Sequence, residues 1–118
     1  MASAKKGGKN FPKRGEVYWV SLDPTQGDEI QKTRPALVIS NDMGNEHTNI
    51  VIVAPITSNR SRVYQAETQA IIDGKKAKIM LQQCRAIDKS RLGKKIDKMP
   101  KDVMQDVERA LKIVFDLS

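Results

Sequence analysis

Cysteine and histidine occur once each in this 118-residue chain, as Cys84 and His47. A lone thiol closes no intrachain disulfide, and one cysteine with one histidine cannot make a zinc site. A two-histidine acid–base pair, one route to metal-free phosphodiester cleavage, is excluded within the chain for the same reason. There is no apolar run long enough to span a bilayer and no signal-peptide h-region, so a soluble cytoplasmic protein with no membrane contact is expected. Also missing are a Gly-rich phosphate loop, a nucleophile elbow, a dinucleotide fingerprint and any internal repeat. Cys84 follows Leu81-Gln82-Gln83 in a strand-like run and reads as a packing residue. His47 lies in a polar turn and reads as solvated.

What is present suits one domain, since 39% hydrophobic residues in this length can supply one core. The net charge of +7 suggests a polyanionic partner. Much of it is local: Lys5, Lys6, Lys9, Lys13 and Arg14 stand among the first 14 residues with no acid, leaving 16 bases against 14 acids beyond. Residues 1–12 are expected to form a flexible basic tail, and residues 13–118 the domain.

Along that domain, Glu16 to Leu22 is β-branched and aromatic and reads as a strand, followed by a polar loop from Asp23 to Thr33. Pro35 to Ser40 and Ile50 to Ile56 are short continuous apolar runs, expected as central strands buried on both faces. Asn41 to Asn45 between them has turn chemistry with room for a helical turn. Asp73-Gly74 is flanked by period-two alternation (Thr68, Ala70, Ile72, then Ala77, Ile79, Leu81), which predicts a tight hairpin. That turn also accounts for Asp73-Gly74-Lys75 without invoking the acid–spacer–lysine order of metal-dependent nucleases. Cys84 to Ile87 reads as a further strand leading into the basic segment Lys89 to Lys98. Val103, Val107, Ala110, Leu111, Val114 and Leu117 recur at helical spacing, with Pro100 and Asp102 in the first turn. The expected fold is mainly β: five or more mostly antiparallel strands in a small twisted barrel or coiled sheet, closed by one C-terminal helix.

The remaining chemistry belongs to Arg, Lys, Thr, Ser and carboxylates, which handle phosphate by fixed charge and hydroxyl hydrogen bonds. Arg34 stands where polar loop meets apolar strand, its backbone held extended by Pro35. Thr57-Ser58 ends the next apolar run in the same way. By residues alone, Arg34 fits a strand-end salt bridge with Glu29 as well as a phosphate contact, and Thr57 fits a turn-capping hydroxyl as well as a reactive one.

Several stretches together resemble the MazF/PemK toxins: Arg14-Gly15-Glu16-Val17-Tyr18-Trp19, Leu22-Asp23-Pro24-Thr25-Gln26-Gly27-Asp28-Glu29 and Arg34-Pro35-Ala36-Leu37-Val38-Ile39. Asn41-Asp42 with Gly44-Asn45, Val53-Ala54-Pro55-Ile56-Thr57 and Gln83-Cys84-Arg85-Ala86-Ile87-Asp88-Lys89 with Arg91-Leu92 extend the match over nearly the whole chain. The resemblance implies a small SH3-like barrel of about five to seven strands acting as a homodimer. It also implies a sequence-specific, metal-independent endoribonuclease without a cofactor, which cuts single-stranded RNA to 2′,3′-cyclic phosphate and 5′-hydroxyl ends and arrests growth. The family's catalytic pair corresponds to Arg34 and Thr57. The loop from Gly27 to Thr33, with Asp28, Glu29, Gln31 and Lys32, would line the RNA groove, joined by Ser58, Gln83 and Arg85.

A guanidinium stays protonated at ordinary pH, so Arg34 is expected to stabilise phosphorane charge while Thr57 donates a hydrogen bond; Glu29 is a candidate proton acceptor. Ile30-Gln31-Lys32-Thr33 stands where many relatives carry glycine, which bears on the loop's flexibility and on the RNA motif chosen. A MazE-like antitoxin would cover the groove with an acidic tail, the complex binding DNA. Two alternatives share the fold or the partner: a gyrase-binding toxin that cuts nothing and a non-catalytic RNA-binding barrel. Arg34-Pro35 and Thr57 favour the ribonuclease, and Asp116-Leu117-Ser118 replaces the Trp-Gly-Ile ending expected of the gyrase binder.

Overall fold

The computed structural model describes residues 10–21 and 33–118. Its strands are β1 (Glu16–Ser21), β2 (Thr33–Val38), β3 (Ile50–Thr57), β4 (Glu67–Ile72), β5 (Lys75–Met80), β6 (Arg85–Asp88) and β7 (Leu92–Lys98). Helix α1 (Asp42–His47) joins β2 to β3, and α2 (Lys101–Phe115) ends the fold. The strands run in the order β4-β5-β3-β2-β1-β7, with β6 paired to β3, and the paired neighbours are antiparallel. No helix among the described residues is long and apolar enough to cross a membrane.

Strand periodicity sends alternate residues to opposite faces, and the sheet curls so that both faces are buried. One layer holds Val20, Ala36, Val38, Val51, Val53 and Ile87 inside the curl. The other, with Val17, Leu37, Ala54, Ile56, Ile79 and Leu81, packs against Val107 and Ala110 of α2. The expectation of strands buried on both faces holds for Leu37 and Val38 of β2, whereas Ile50 and Ile52 of β3 are exposed, because α2 covers only the later part of that face.

The hairpin forms where predicted: Asp73 (φ 51°) and Gly74 (φ 80°) adopt the left-handed pair of a type I′ turn, and Ile72 pairs with Lys75. Asn41 caps α1, its side chain accepting from the Gly44 N–H at 2.8 Å. Pro100 is the residue before α2 rather than inside its first turn. Asp116 (φ 56°) stops the helix, the Leu117 N–H reaching the Lys112 carbonyl at 2.8 Å, so Leu117 lies past the helix and is exposed. The basic segment Lys89 to Lys98 contains a strand the sequence pattern did not predict: after a 3₁₀ turn (Lys89–Arg91), β7 pairs with β1. Glu16 secures that pairing, accepting from the Tyr18 hydroxyl at 2.7 Å and the Lys95 ammonium at 2.8 Å. Burial raises the Glu16 carboxyl, but these bonds and that from the Lys13 N–H outweigh it and hold it below its ordinary value.

Candidate nucleic-acid interface

Arg34 and Thr57 stand at the same end of the neighbouring strands β2 and β3. Val20 pairs with Arg34 across β1 and β2, and Thr57 pairs with Lys78 across β3 and β5. Between β2 and β3 the register runs Val38 to Val53, Leu37 to Ala54 and Ala36 to Pro55. Carried on for two residues, it sets Arg34 opposite Thr57. Alternation puts Arg34 on the face of Ala36 and Val38, and Thr57 on the face of Val51 and Val53; both are the inner face of the curl. Arg34 is exposed and Thr57 half-buried, so the pair lies at the mouth of the curl. Arg34 is the second residue of β2 rather than its flanking loop residue, because β2 begins at Thr33, opposite Ser21 of β1.

Among the described residues, no hydrogen bond or ion pair occupies the Arg34 guanidinium. The Thr57 Oγ1 accepts from the Asn59 N–H at 3.2 Å, closing a local turn and leaving the hydroxyl proton to donate elsewhere. The capping role weighed for Thr57 is therefore present and compatible with a chemical one.

Arg85 joins the same face, since it pairs with Val53. Gln83 stands one turn earlier, in a 3₁₀ turn (Leu81–Gln83) interposed between β5 and β6 along the edge of β3 away from β2. That turn inserts its 3 residues between the Ile56–Ile79 and Val53–Arg85 pairs, lifting Gln82 and Gln83 out of the sheet, both exposed. The Gln83 amide reaches the Met80 sulfur at 3.6 Å. Ser58 is exposed directly after Thr57. Asp28, Glu29, Gln31 and Lys32 lie outside the described residues, as does the salt bridge weighed between Arg34 and Glu29. Cys84 packs half-buried against the helix-side core, where burial raises its thiol, and His47 is exposed.

Sequence reasoning missed the groups bordering Thr57. Lys78, across from Thr57, is buried and pairs with Glu67 at 2.9 Å, also donating to the Arg62 carbonyl at 2.6 Å. Glu67 accepts from the Tyr64 N–H at 2.9 Å and from the Gln82 amide at 2.6 Å. Burial would raise the Glu67 carboxyl, but the bonds from Tyr64, Gln82 and Lys78 and the charge of Lys78 together hold it below its ordinary value. The hairpin carried a signal for this pair: the tight turn forces Glu67 opposite Met80, diagonal to Lys78 on the same face.

Among the described residues no three of His, Cys, Asp and Glu converge as metal ligands. A depression of about 480 Å³ lies beside the β4–β5 hairpin and the start of α2, lined by Gln69, Ile71, Lys76 and Asp102 among others and by none of Arg34, Thr57 or Lys78. Among the described residues, the exposed Arg34 guanidinium and the half-buried Thr57 hydroxyl offer charge and a hydrogen bond of the kind that suits a phosphate.

A curled antiparallel sheet backed by one terminal helix, with an arginine and a threonine at one end of neighbouring strands, defines the class as a small β fold with a C-terminal helix. A family model described as PemK-like, MazF-like toxin of type II toxin-antitoxin system matches residues 13–115. The chain is 40% identical over 111 residues to Endoribonuclease EndoA of Bacillus subtilis (strain 168), covering 89% of this chain and 95% of that protein. Its fold superposes on a MazE-MazF structure from Deinococcus radiodurans with a TM-score of 0.77 at 29% identity, over 92% of this chain and 98% of the other. A mycobacterial endoribonuclease in complex with its cognate antitoxin shares the fold at TM-score 0.77 and 23% identity, over 91% and 97% of the two chains. The chain belongs to the PemK-like, MazF-like toxins of type II toxin–antitoxin systems.

Proposed function

We propose that this endoribonuclease toxin cuts single-stranded RNA at short sequence motifs without a metal ion, through Arg34 and Thr57. The 2′-hydroxyl loses its proton and attacks the adjacent phosphorus, the bond to the 5′-oxygen breaks, and that oxygen leaves with a proton. The products are a 2′,3′-cyclic phosphate and a 5′-hydroxyl. Negative charge peaks on the non-bridging oxygens of the phosphorane, where a fixed guanidinium and a hydroxyl donor are worth most. Arg34 supplies the charge and Thr57 the second hydrogen bond. A guanidinium cannot serve as the proton acceptor at ordinary pH, so that role falls to another group, for which Glu29 is the candidate.

The observation carrying this reading is the β2–β3 register, which when continued brings an exposed guanidinium with no partner among the described residues toward a threonine hydroxyl that accepts from the Asn59 N–H. Gln83 and Arg85 would read base edges, with Ser58 and the Asp28, Glu29, Gln31 and Lys32 loop completing the groove. The antitoxin complexes of the Deinococcus and mycobacterial relatives support a MazE-like partner whose acidic tail folds across the same cations. Exposed Ile113, Phe115 and Leu117 near the end of α2 support a homodimer, since a second copy would cover them. A cytoplasmic location goes with an RNA substrate and a free thiol.

Incubation with a long single-stranded RNA in EDTA tests the proposal: discrete fragments with 5′-hydroxyl ends are expected from the wild type and none from Arg34→Ala. Intact RNA would return the chain to the gyrase-binding or RNA-binding alternatives. An unchanged rate in Glu29→Gln would remove Glu29 as proton acceptor.

A further inference from the structure

We infer that Tyr64, on the loop leaving β3 after Thr57, is a stacking subsite for a nucleobase of the RNA next to the cleaved phosphodiester. The inference rests on the ribonuclease reading for its substrate and on separate observations for its place. Tyr64 is 51% exposed even with the Arg62 guanidinium and the Lys78 ammonium lying over its ring, so part of a large aromatic surface remains open to a flat ligand. Its position relative to Thr57 follows from Lys78, which is the cross-strand partner of Thr57 and whose ammonium lies 5.6 Å from the Tyr64 ring centroid. The ring therefore lies past the end of the side chain of Thr57's cross-strand neighbour.

The loop beneath the ring is built rather than loose. Glu67 accepts from the Tyr64 N–H, and Lys78, paired with Glu67, donates to the Arg62 carbonyl, so a buried ion pair fixes the backbone on either side of Val63. Arg109 of α2 donates to the Gln65 carbonyl at 2.8 Å and to the Glu67 carbonyl at 3.1 Å, anchoring the loop's far end. A ring held this way loses little freedom on binding, which lowers the entropic cost of capturing a base.

The Arg62 guanidinium lies over the ring, 4.9 Å from its centroid, so an incoming base takes the uncovered part of the ring or displaces this exposed side chain, whose charge is then at hand for the nucleotide's phosphate. An aromatic face with an adjacent guanidinium is the common means of holding unpaired bases. The Tyr64 hydroxyl makes no hydrogen bond among the described residues, so the ring rather than the phenol is the binding element.

The test uses a short RNA containing the motif read from fragment ends, 2′-O-methylated at the attacking nucleotide so that it binds without being cut. Abasic residues are stepped through the positions flanking the cut. Tyr64→Ala is expected to weaken Kd roughly 5- to 100-fold, the range for losing one base–aromatic stack, and Tyr64→Phe to restore it. One abasic position should cost the wild type a similar factor and cost Tyr64→Ala nothing. The loss should persist at high salt, because stacking releases no counterions. Wild-type affinity in Tyr64→Ala, or a loss that no single abasic position reproduces, overturns the subsite. If the wild type cuts the unmethylated RNA while Tyr64→Ala binds normally, only the subsite fails. If the Tyr64-dependent stack holds while Arg34→Ala still cuts or the fragments lack 5′-hydroxyl ends, only the proposed cleavage chemistry fails.

Discussion

Arg34 and the Glu67–Lys78 pair occupy the same face of one sheet and treat charge in opposite ways. Glu67 and Lys78 are buried against each other at 2.9 Å, with further bonds to Tyr64, Arg62 and Gln82. Two strands away, the Arg34 guanidinium is exposed with no partner among the described residues. A satisfied buried pair contributes geometry, since each charge is already neutralised by the other. An unpartnered surface cation leaves its electrostatic capacity for a ligand, and a phosphodiester is the ligand its family handles. On the proposed reading, the difference separates residues that hold the sheet's shape from those that act on RNA.

Four experiments would break or sharpen that separation. Lys78→Met should have the largest effect, costing about 3–5 kcal/mol of stability because it strands a buried carboxylate. Urea unfolding measures this, and a Glu67→Leu/Lys78→Met double variant should recover most of the loss. Equal stability in wild type and single variant would show that the pair is not buried as described. Arg34→Ala should lower kcat by about 10²- to 10³-fold, the effect of removing one transition-state donor, and leave the urea midpoint nearly unmoved. A variant that is as unstable as Lys78→Met would place Arg34 in the structural class instead.

Thr57→Val keeps the side-chain shape and removes the hydroxyl. Single-turnover cleavage should slow by roughly 10- to 100-fold, corresponding to a hydrogen bond to a charged group. Retention of full activity would remove Thr57 from the chemistry and leave it as a turn cap. The smallest effect concerns pH. The Glu67 and Glu16 carboxyls are both depressed in the folded state relative to an ordinary value of 4.5. Depressed carboxyls contribute stability that is present above the unfolded pKa and lost as pH falls through the folded one. The urea midpoint should therefore fall as the solution is taken from neutrality to about pH 3, and fall less in Glu67→Gln.

Most elements were legible in the residues because they depend on local rules. The hairpin follows from Asp73-Gly74 between alternating flanks, and α2 follows from the spacing of Val103, Val107, Ala110, Leu111 and Val114. Strand β7 was hidden because Lys89, Arg91, Lys94, Lys95 and Lys98 mask its alternation and its partner β1 lies far away in sequence. The helix stop at Asp116 was missed because aspartate adopts the left-handed conformation less often than glycine. For the proposed site, Arg34, Thr57, Ser58, Gln83 and Arg85 were singled out by family resemblance, while chemical type alone left salt-bridge and capping roles open.

By itself the sequence determined a single β-rich domain with a terminal helix, the positions of its turns, and the motifs that mark its family. These follow from backbone conformational preference and apolar periodicity, which act over a few residues. Tertiary structure alone decided that Arg34 and Thr57 come to the same end of neighbouring strands, that Lys78 stands across from Thr57 and joins Glu67, and that the Lys78 ammonium lies over the Tyr64 ring. Strand register brings together residues separated by long loops, and a shift of one residue would send each side chain to the opposite face.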